Sequence, residues 1–410
     1  MNVRAERFPL FDSMRAIAFL SVFVAHASFF AGLAVPGHLL RPYVSRLDVG
    51  VRIFFLISAF LLYRPFVAAQ LTDADPPRVR AYAWRRFLRI TPPYWAALTL
   101  IGLWIGSGGL FVLSHAPLYY GFAHIYAPAT YAGGPLPQAW TLCVEAAFYV
   151  FLPLYAAGMR SLPRSRPEAR LRRELIGAAV LFVLSLAYKL VLASQGSVQS
   201  LLIWHVAPLE YLDYFAIGMA LAALSVWYRG RSQLPVALRA IDRWPILPWL
   251  GAAAAFVLVS KGIGLTPAHA IAGKLTNARH LERHYLYAAI AFGVILPAIF
   301  GDPGHGLVRR LLGWRPLLWV GMVSYGAFLV HFAVLVQLQR WSFGSWASHT
   351  WRYLWFPVAL AGVLAIAALS WYFFERPILS LKRLVSIRAV ERGEATLEPA
   401  PAVPPEVAAR

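Results

Sequence analysis

An arginine and a histidine share one face of what reads as a membrane-crossing helix. Residues 12–34 form an apolar run long enough to span a bilayer, yet they carry Asp12, Arg15 and His26. Ionisable groups at membrane depth are costly and ordinarily face a protein interior or a wet cavity, which makes them functional candidates. Eleven residues separate Arg15 from His26, and eleven steps of about 100° come to roughly 20° past three turns. At about 1.5 Å per residue, the imidazole lies roughly 16 Å further along the axis. One face thus offers a fixed cation near one membrane surface and a titratable base deeper in. A signal anchor flanked by Arg4 and Arg7 is the plainer reading, but such a segment needs no Arg–His face.

Further candidates lie elsewhere in the chain. Arg86 and Arg89 are three residues apart and share a helix face. Arginine suits bidentate phosphate binding, so with Arg15 they can form a polyphosphate clamp; anchoring at the membrane surface is the alternative. Glu145 has two readings. It is either a carboxylate level with His26 that orients the imidazole, or a structural acid paired with an arginine or a tyrosine hydroxyl. His331 is either part of the same chemistry or a hydrogen-bonded packing residue. Asp48 and Arg52 are spaced to pair on one helix, and Gly50, Ser58 and Ala59 suit close helix contact. Glu375, just before Pro377, is expected to pair with the arginine cluster. Phosphate-binding glycine loops, HExxH, Cys/His metal spacings and the GxSxG serine elbow are missing, so no metal is expected. The single cysteine, Cys143, permits no internal disulfide.

The elements that must position these groups are membrane helices. Of 410 residues 60% are hydrophobic and only 14% charged, well below the roughly 25% of soluble domains. Apolar runs predict ten spans, at about 12–34, 48–70, 88–106, 138–159, 175–194, 203–227, 246–262, 284–300, 316–337 and 352–374. The net charge of +20 needs no nucleic acid, because the positive-inside rule accounts for it. Alternate connections hold clusters such as Arg78, Arg80 and Arg85, or Arg170, Arg172 and Arg173, whereas 107–137 and 195–202 hold no Lys or Arg. The expected fold is therefore all-α, a polytopic integral membrane bundle of about ten transmembrane helices with both termini cytoplasmic. Its parts are a cytoplasmic N-terminus (1–11), a transmembrane domain (12–377) and a tail (378–410), basic and then disordered. A bacterial-type cytoplasmic membrane is the expected location.

Six segments, in this order, resemble the membrane-bound acyltransferase-3 family of sugar O-acyltransferases. They are FDSMRAIAFLSVFVAH (11–26), LDVGVRIFFLISAFL (47–61), RRFLRITPPYW (85–95), AWTLCVEAAFY (139–149), VSYGAFLVHF (323–332) and FFERP (373–377). The family's usual Val-Glu-Glu stands here as Val144-Glu145-Ala146. The resemblance implies a stand-alone member, without the SGNH esterase-like domain that some relatives carry.

What the resemblance implies is transfer of an acyl group, commonly acetyl, from cytoplasmic acyl-CoA to a hydroxyl of a glycan, glycolipid or glycosylated small molecule. It implies Arg15 and His26 as essential, with Arg86 and Arg89 at the donor end; Glu145 would orient the imidazole. Asp12, Ser58, Trp140, Ser324, Tyr325, His331 and Glu375 fall in the matching segments as substrate-contacting or supporting residues. His26 would act as general base or carry the acyl group briefly itself. The competing class is a transporter or flippase for a polar or lipid-linked glycan, with Arg15, His26 and Glu145 along its path.

Overall fold

The computed structural model describes residues 8–382, apart from 36, 107, 132–133, 164, 199, 232, 263–275 and 344–351. Most of the expected N-terminal segment and tail, and most of the 263–283 connection, lie outside the described residues. Ten long helices and no strand occur among the described residues. They are α1 (Leu10–Phe30), α2 (Gly50–Thr72), α3 (Val79–Ile105), α4 (Trp140–Ser161), α5 (Pro167–Gln195), α6 (Leu212–Trp227), α7 (Ile246–Lys261), α8 (Asn277–Ile299), α9 (Arg315–Leu338) and α10 (Arg352–Ser370).

Each predicted span coincides with one of these helices, but they are not equally apolar. Seven segments of the described residues are long and apolar enough to cross a membrane alone, and an eighth is a pair bent by 93° (Val236–Arg243 with α7). α3 spends its first turns on Arg80, Arg85, Arg86 and Arg89, and α8 opens with His280, Glu282, Arg283 and His284. Charge at those helix starts shortens the apolar part of each. α6 is shorter than the 203–227 expected, because Pro208 has no N–H to give a helix and residues 204–211 form two 3-10 turns instead. The multi-pass character follows from the length and apolarity of these helices.

α2 is the innermost helix and packs on α6 and α1, while α9 packs on α1 and α10. Glycines permit several close approaches between helices, two of them on α6 and α9. A Cβ at Gly218 of α6 would stand 2.6 Å from the Leu56 carbonyl oxygen and 2.7 Å from the Ala59 Cβ of α2. A Cβ at Gly321 of α9 would collide with the carbonyl oxygen of Asp12 on α1. Small residues at such crossings give membrane helices the van der Waals contact that replaces a hydrophobic driving force. The Gly321 crossing is the one that fixes α9 beside Arg15. Gly321→Ala is therefore expected to destabilise by about 1–3 kcal/mol through overpacking. Gly251→Ala, on an exposed face of α7 with open space around it, should be neutral or slightly stabilising. Thermal melts in detergent decide it, and equal melting temperatures for the two variants would contradict this packing.

Candidate active site

Five elements converge on a cavity with about 690 Å3 of empty space. α1 contributes Arg15; α2 contributes Phe54, Phe55 and Ser58; α3 contributes Arg86 and Arg89; α4 contributes Thr141, Glu145 and Tyr149; α9 contributes Ser324, Tyr325 and Phe328. The three arginines lie close enough for their charges to act on one another. Arg15 Nη1 donates to Asp12 Oδ1 at 2.6 Å, one turn back on the same helix. Arg89 Nη1 stands 3.6 Å from Glu375 Oε2, with its guanidinium over the rings of Trp371 and Tyr325. The sequence expectation of a Glu375 ion pair with the arginine cluster is met. Its carrier is a single π-helical turn, Trp371–Glu375, at the end of α10. Such turns reset the angle at which the last side chain leaves a helix, and here Glu375 is buried.

Glu145 does not pair with His26. Its Oε1 accepts from Ser58 Oγ at 3.0 Å and its Oε2 from Tyr149 OH at 2.7 Å. The structural alternative, a tyrosine hydroxyl, is the arrangement found, and the partner sits four residues on, in reach on one helix face. Shared depth does not fix azimuth, so matching heights along α1 and α4 gave no contact. Asp48 and Arg52 do not pair either. Asp48 precedes α2 in a 3-10 turn and accepts from the Tyr287 hydroxyl, while Arg52 lies over the Tyr211 and Tyr287 rings. Ser324 Oγ turns back to the Gly321 carbonyl, and Tyr325 OH donates to the Ile90 carbonyl of α3 at 2.7 Å. Trp140 stays outside the cavity lining and packs on Tyr211 and Phe55.

The partner of His26 is His331, from α9. His26 Nδ1 and His331 Nε2 are 2.9 Å apart, and His331 Nδ1 lies 2.7 Å from the Phe328 carbonyl oxygen. A carbonyl can only accept, so His331 Nδ1 carries a proton and, in the neutral ring, its Nε2 offers a lone pair. His26 Nδ1 must then donate, which leaves the lone pair of His26 on Nε2. Gln138 Nε2 donates to the same Phe328 carbonyl, at 3.2 Å. One backbone oxygen thus sets the tautomers of both rings. His331 is fully buried and His26 half-buried. Neither ring lines the cavity, which ends on Phe328. That ring stands 5.6 Å from the His331 ring and 5.9 Å from Phe54, centre to centre. Arg15 and His26 therefore share an unbroken helix, as expected, but an aromatic partition lies between the cavity and the imidazole pair. Tyr149, Phe54 and Phe328 are among the lining residues that sequence reasoning missed, as are Phe55 and Thr141. Only Tyr149 carried a local signal, its four-residue spacing from Glu145.

The family model described as an acyltransferase domain matches residues 9–375. The chain belongs to the acyltransferase-3 family. Among curated relatives, this acyltransferase is 26% identical to nodulation protein 10 of Rhizobium leguminosarum bv. viciae, over 81% of this chain and 82% of that protein. It is 24% identical to the peptidoglycan O-acetyltransferase OatA of Listeria monocytogenes, over 90% of this chain and 55% of the relative. It is 30% identical to the acyltransferase MdmB of Streptomyces mycarofaciens over 40% of this chain and 43% of the relative. The chain thus spans about half the length of OatA, while the match to MdmB covers less than half of either chain. No solved structure matches it.

For this acyltransferase the imidazole pair generates a kinetic expectation. If His331 sets the His26 tautomer, His331→Phe lowers kcat by about 10²-fold or more, the scale of losing a positioned base. His331→Gln, whose amide oxygen can accept from His26 Nδ1, should keep kcat within about tenfold. The donor KM should stay near wild type in both. Steady-state kinetics check this, and wild-type kcat in the Phe variant would refute the tautomer chain.

Proposed function

We propose that this membrane O-acyltransferase takes an acyl group, most simply acetyl, from cytoplasmic acyl-CoA and places it on a hydroxyl of a glycan-type acceptor. The observation that carries the reading is the polarity of the site: three arginines gathered at one end of a cavity whose aromatic end abuts the His26–His331 pair. Guanidinium groups recognise phosphate in bidentate fashion, and a coenzyme A donor presents several phosphates at the end of a long arm. The roughly 16 Å rise from Arg15 to His26 along α1 is on the scale of that extended arm. Positive-inside asymmetry supports a cytoplasmic arginine end, the side on which acyl-CoA is available.

On this reading His26 Nε2 takes the proton of the acceptor hydroxyl. The oxygen attacks the thioester carbonyl, the C–S bond breaks, and the imidazolium returns the proton to the departing thiolate. Positive charge on His26 forms in that step with His331 as its hydrogen-bond acceptor. Arg15, Arg86 and Arg89 bind the donor phosphates. Glu145, held by Ser58 and Tyr149, balances the arginine charge rather than orienting the base. Relatives named for peptidoglycan O-acetylation support a sugar hydroxyl as acceptor.

Purified protein given labelled acetyl-CoA and a glycan acceptor provides the test, read as release of free CoA thiol and label on the sugar. His26→Ala is expected to lose about 10²–10⁴-fold in kcat. Arg86→Ala and Arg89→Ala should each raise the donor KM by about tenfold or more, the scale of one charge-assisted hydrogen bond. The acceptor KM should not move. Label retained on the protein without acceptor, and absent in His26→Ala, would identify an acyl-histidine intermediate. Full turnover in His26→Ala, or arginine variants that change only the acceptor KM, would overturn the assignment.

A further inference from the structure

A second buried cluster lies away from the cavity, where the 3-10 turns before α6 meet the first turns of α8. It contains His205, Glu210 and His280, all more than nine-tenths buried, with Glu210 wholly so. One ligand-type atom from each lies within 4.8 Å of the other two. His280 Nε2 is 2.8 Å from Glu210 Oε1. His205 Nδ1 stands 3.4 Å from Glu210 Oε2, without the alignment of a hydrogen bond. Both ring nitrogens of His205, and Glu210 Oε2, have no hydrogen-bond partner among the described residues. A wholly buried carboxylate oxygen and a buried imidazole left in this state are rare in native proteins and call for an explanation.

The surroundings are already committed elsewhere. Asp213 accepts from Lys189 Nζ at 2.9 Å and from His284 Nε2 at 2.8 Å, so neither the lysine nor the aspartate serves Glu210. His284, donating through Nε2, turns its Nδ1 lone pair towards Glu210 Oε1, 3.8 Å away. Two acceptors thus face each other with no proton between them. The backbone that carries the cluster is tied down. Tyr211 OH donates to the His205 carbonyl at 3.0 Å, and Ser185 Oγ to the Leu209 carbonyl at 2.8 Å.

We propose that His205, Glu210 and His280 form a binding site for one divalent cation of the zinc class. Two imidazoles and a carboxylate are the donor set that zinc accepts with a fourth position left to water. Ligand atoms about 2.0–2.2 Å from a tetrahedral zinc are about 3.4 Å from one another. Here the two imidazoles stand 2.8 and 3.4 Å from Glu210 oxygens and the set lies within 4.8 Å, so small side-chain shifts would close it around an ion. Binding moves the His280 proton from Nε2 to Nδ1 and gives up the 3.5 Å contact from Arg283 Nη2. In return the cation neutralises Glu210 and meets the unpartnered His205 nitrogen. The ion would join the turns before α6 to α8. Tyr211, next to Glu210, packs on Phe55 of the cavity wall, so the ion braces that wall from behind.

Tag-free protein, loaded with Zn2+ and freed of excess by gel filtration, should retain about one zinc per chain by elemental analysis. Co2+ in its place should give the visible absorption of a tetrahedral site. In competition against a chelator, His205→Ala and Glu210→Gln should bind Zn2+ at least about tenfold more weakly, with His305→Ala, an exposed histidine, unchanged. Zn2+ should raise the melting temperature of wild type and not of those two variants. Monodisperse wild-type protein without stoichiometric zinc overturns the proposal, whether or not the variants fold. So does unchanged Zn2+ affinity in both ligand variants. Neither result bears on acyl transfer, which is read by thiol release at the other site.

Discussion

Three guanidinium groups held together inside a membrane protein form the constraint around which the rest is built. Like charges about 4–8 Å apart, at an effective dielectric near 20, repel by roughly 2–4 kcal/mol per pair. Arg15, Arg86 and Arg89 come from two helices, and the acids that offset them come from three. Asp12 sits on α1, Glu145 on α4, and Glu375 at the π turn after α10. No pair of these helices could hold the cluster alone. The closest crossing, Gly321 against the Asp12 carbonyl, lies where α1 begins to carry these charges. Backbone contact there fixes how far Arg15 stands from α9, which supplies Tyr325 and Phe328 to the same cavity. The charge cluster and the packing of α1, α3, α4, α9 and α10 are therefore one problem with one solution.

A second constraint runs through hydrogen-bond polarity. The Phe328 carbonyl can only accept, and from that fact follow the proton on His331 Nδ1, the acceptor role of His331 Nε2 and the free lone pair on His26 Nε2. A carboxylate beside His26 would also have fixed the tautomer, but it would add a negative charge at a depth where charge is expensive. A neutral histidine anchored to a helix carbonyl achieves the same orientation without it. Gln138, just before α4, donates to the same oxygen and so ties the start of α4 to the imidazole pair.

How much of this was legible in the sequence depends on the distance over which each interaction acts. The ten helices follow from apolar runs, and the common face of Arg15 and His26 from helix period alone. Local pairs such as Asp12 with Arg15 are readable in the same way. Azimuth between helices is not. Glu145 and His26 could be matched in depth from sequence, yet the rotation of α4 turns the carboxylate to Ser58 and Tyr149. His331 comes from 305 residues away, and only the packing of α9 on α1 brings it to His26. His205, Glu210 and His280 are spread over turns and a helix start with no motif spacing, so periodicity could not assemble them. The π turn that buries Glu375 is equally invisible to a helix-period reading.

The partition between cavity and imidazole pair carries the last step. A thioester held beside a base and open to water hydrolyses, so an acyltransferase must keep water from the base until the acceptor arrives. Phe328 lines the cavity and packs on His331, and Phe54 of the same lining packs on Phe328. Phe332, Phe19 and Phe328 surround the two rings, with Phe332 edge-on to His26 at 5.5 Å. Aromatic side chains exclude water while remaining able to rotate about two torsions, which a backbone wall is not. On the proposed reaction, the arm of the donor would displace these rings and the acyl group would fill the space they leave. Water exclusion would then be continuous, first by the protein and then by the substrate itself. The same arrangement explains why the arginines and the imidazole need not share an open cavity. On that reading the phosphates would be bound where water is tolerated, and the bond that must not meet water would be handled beyond the rings.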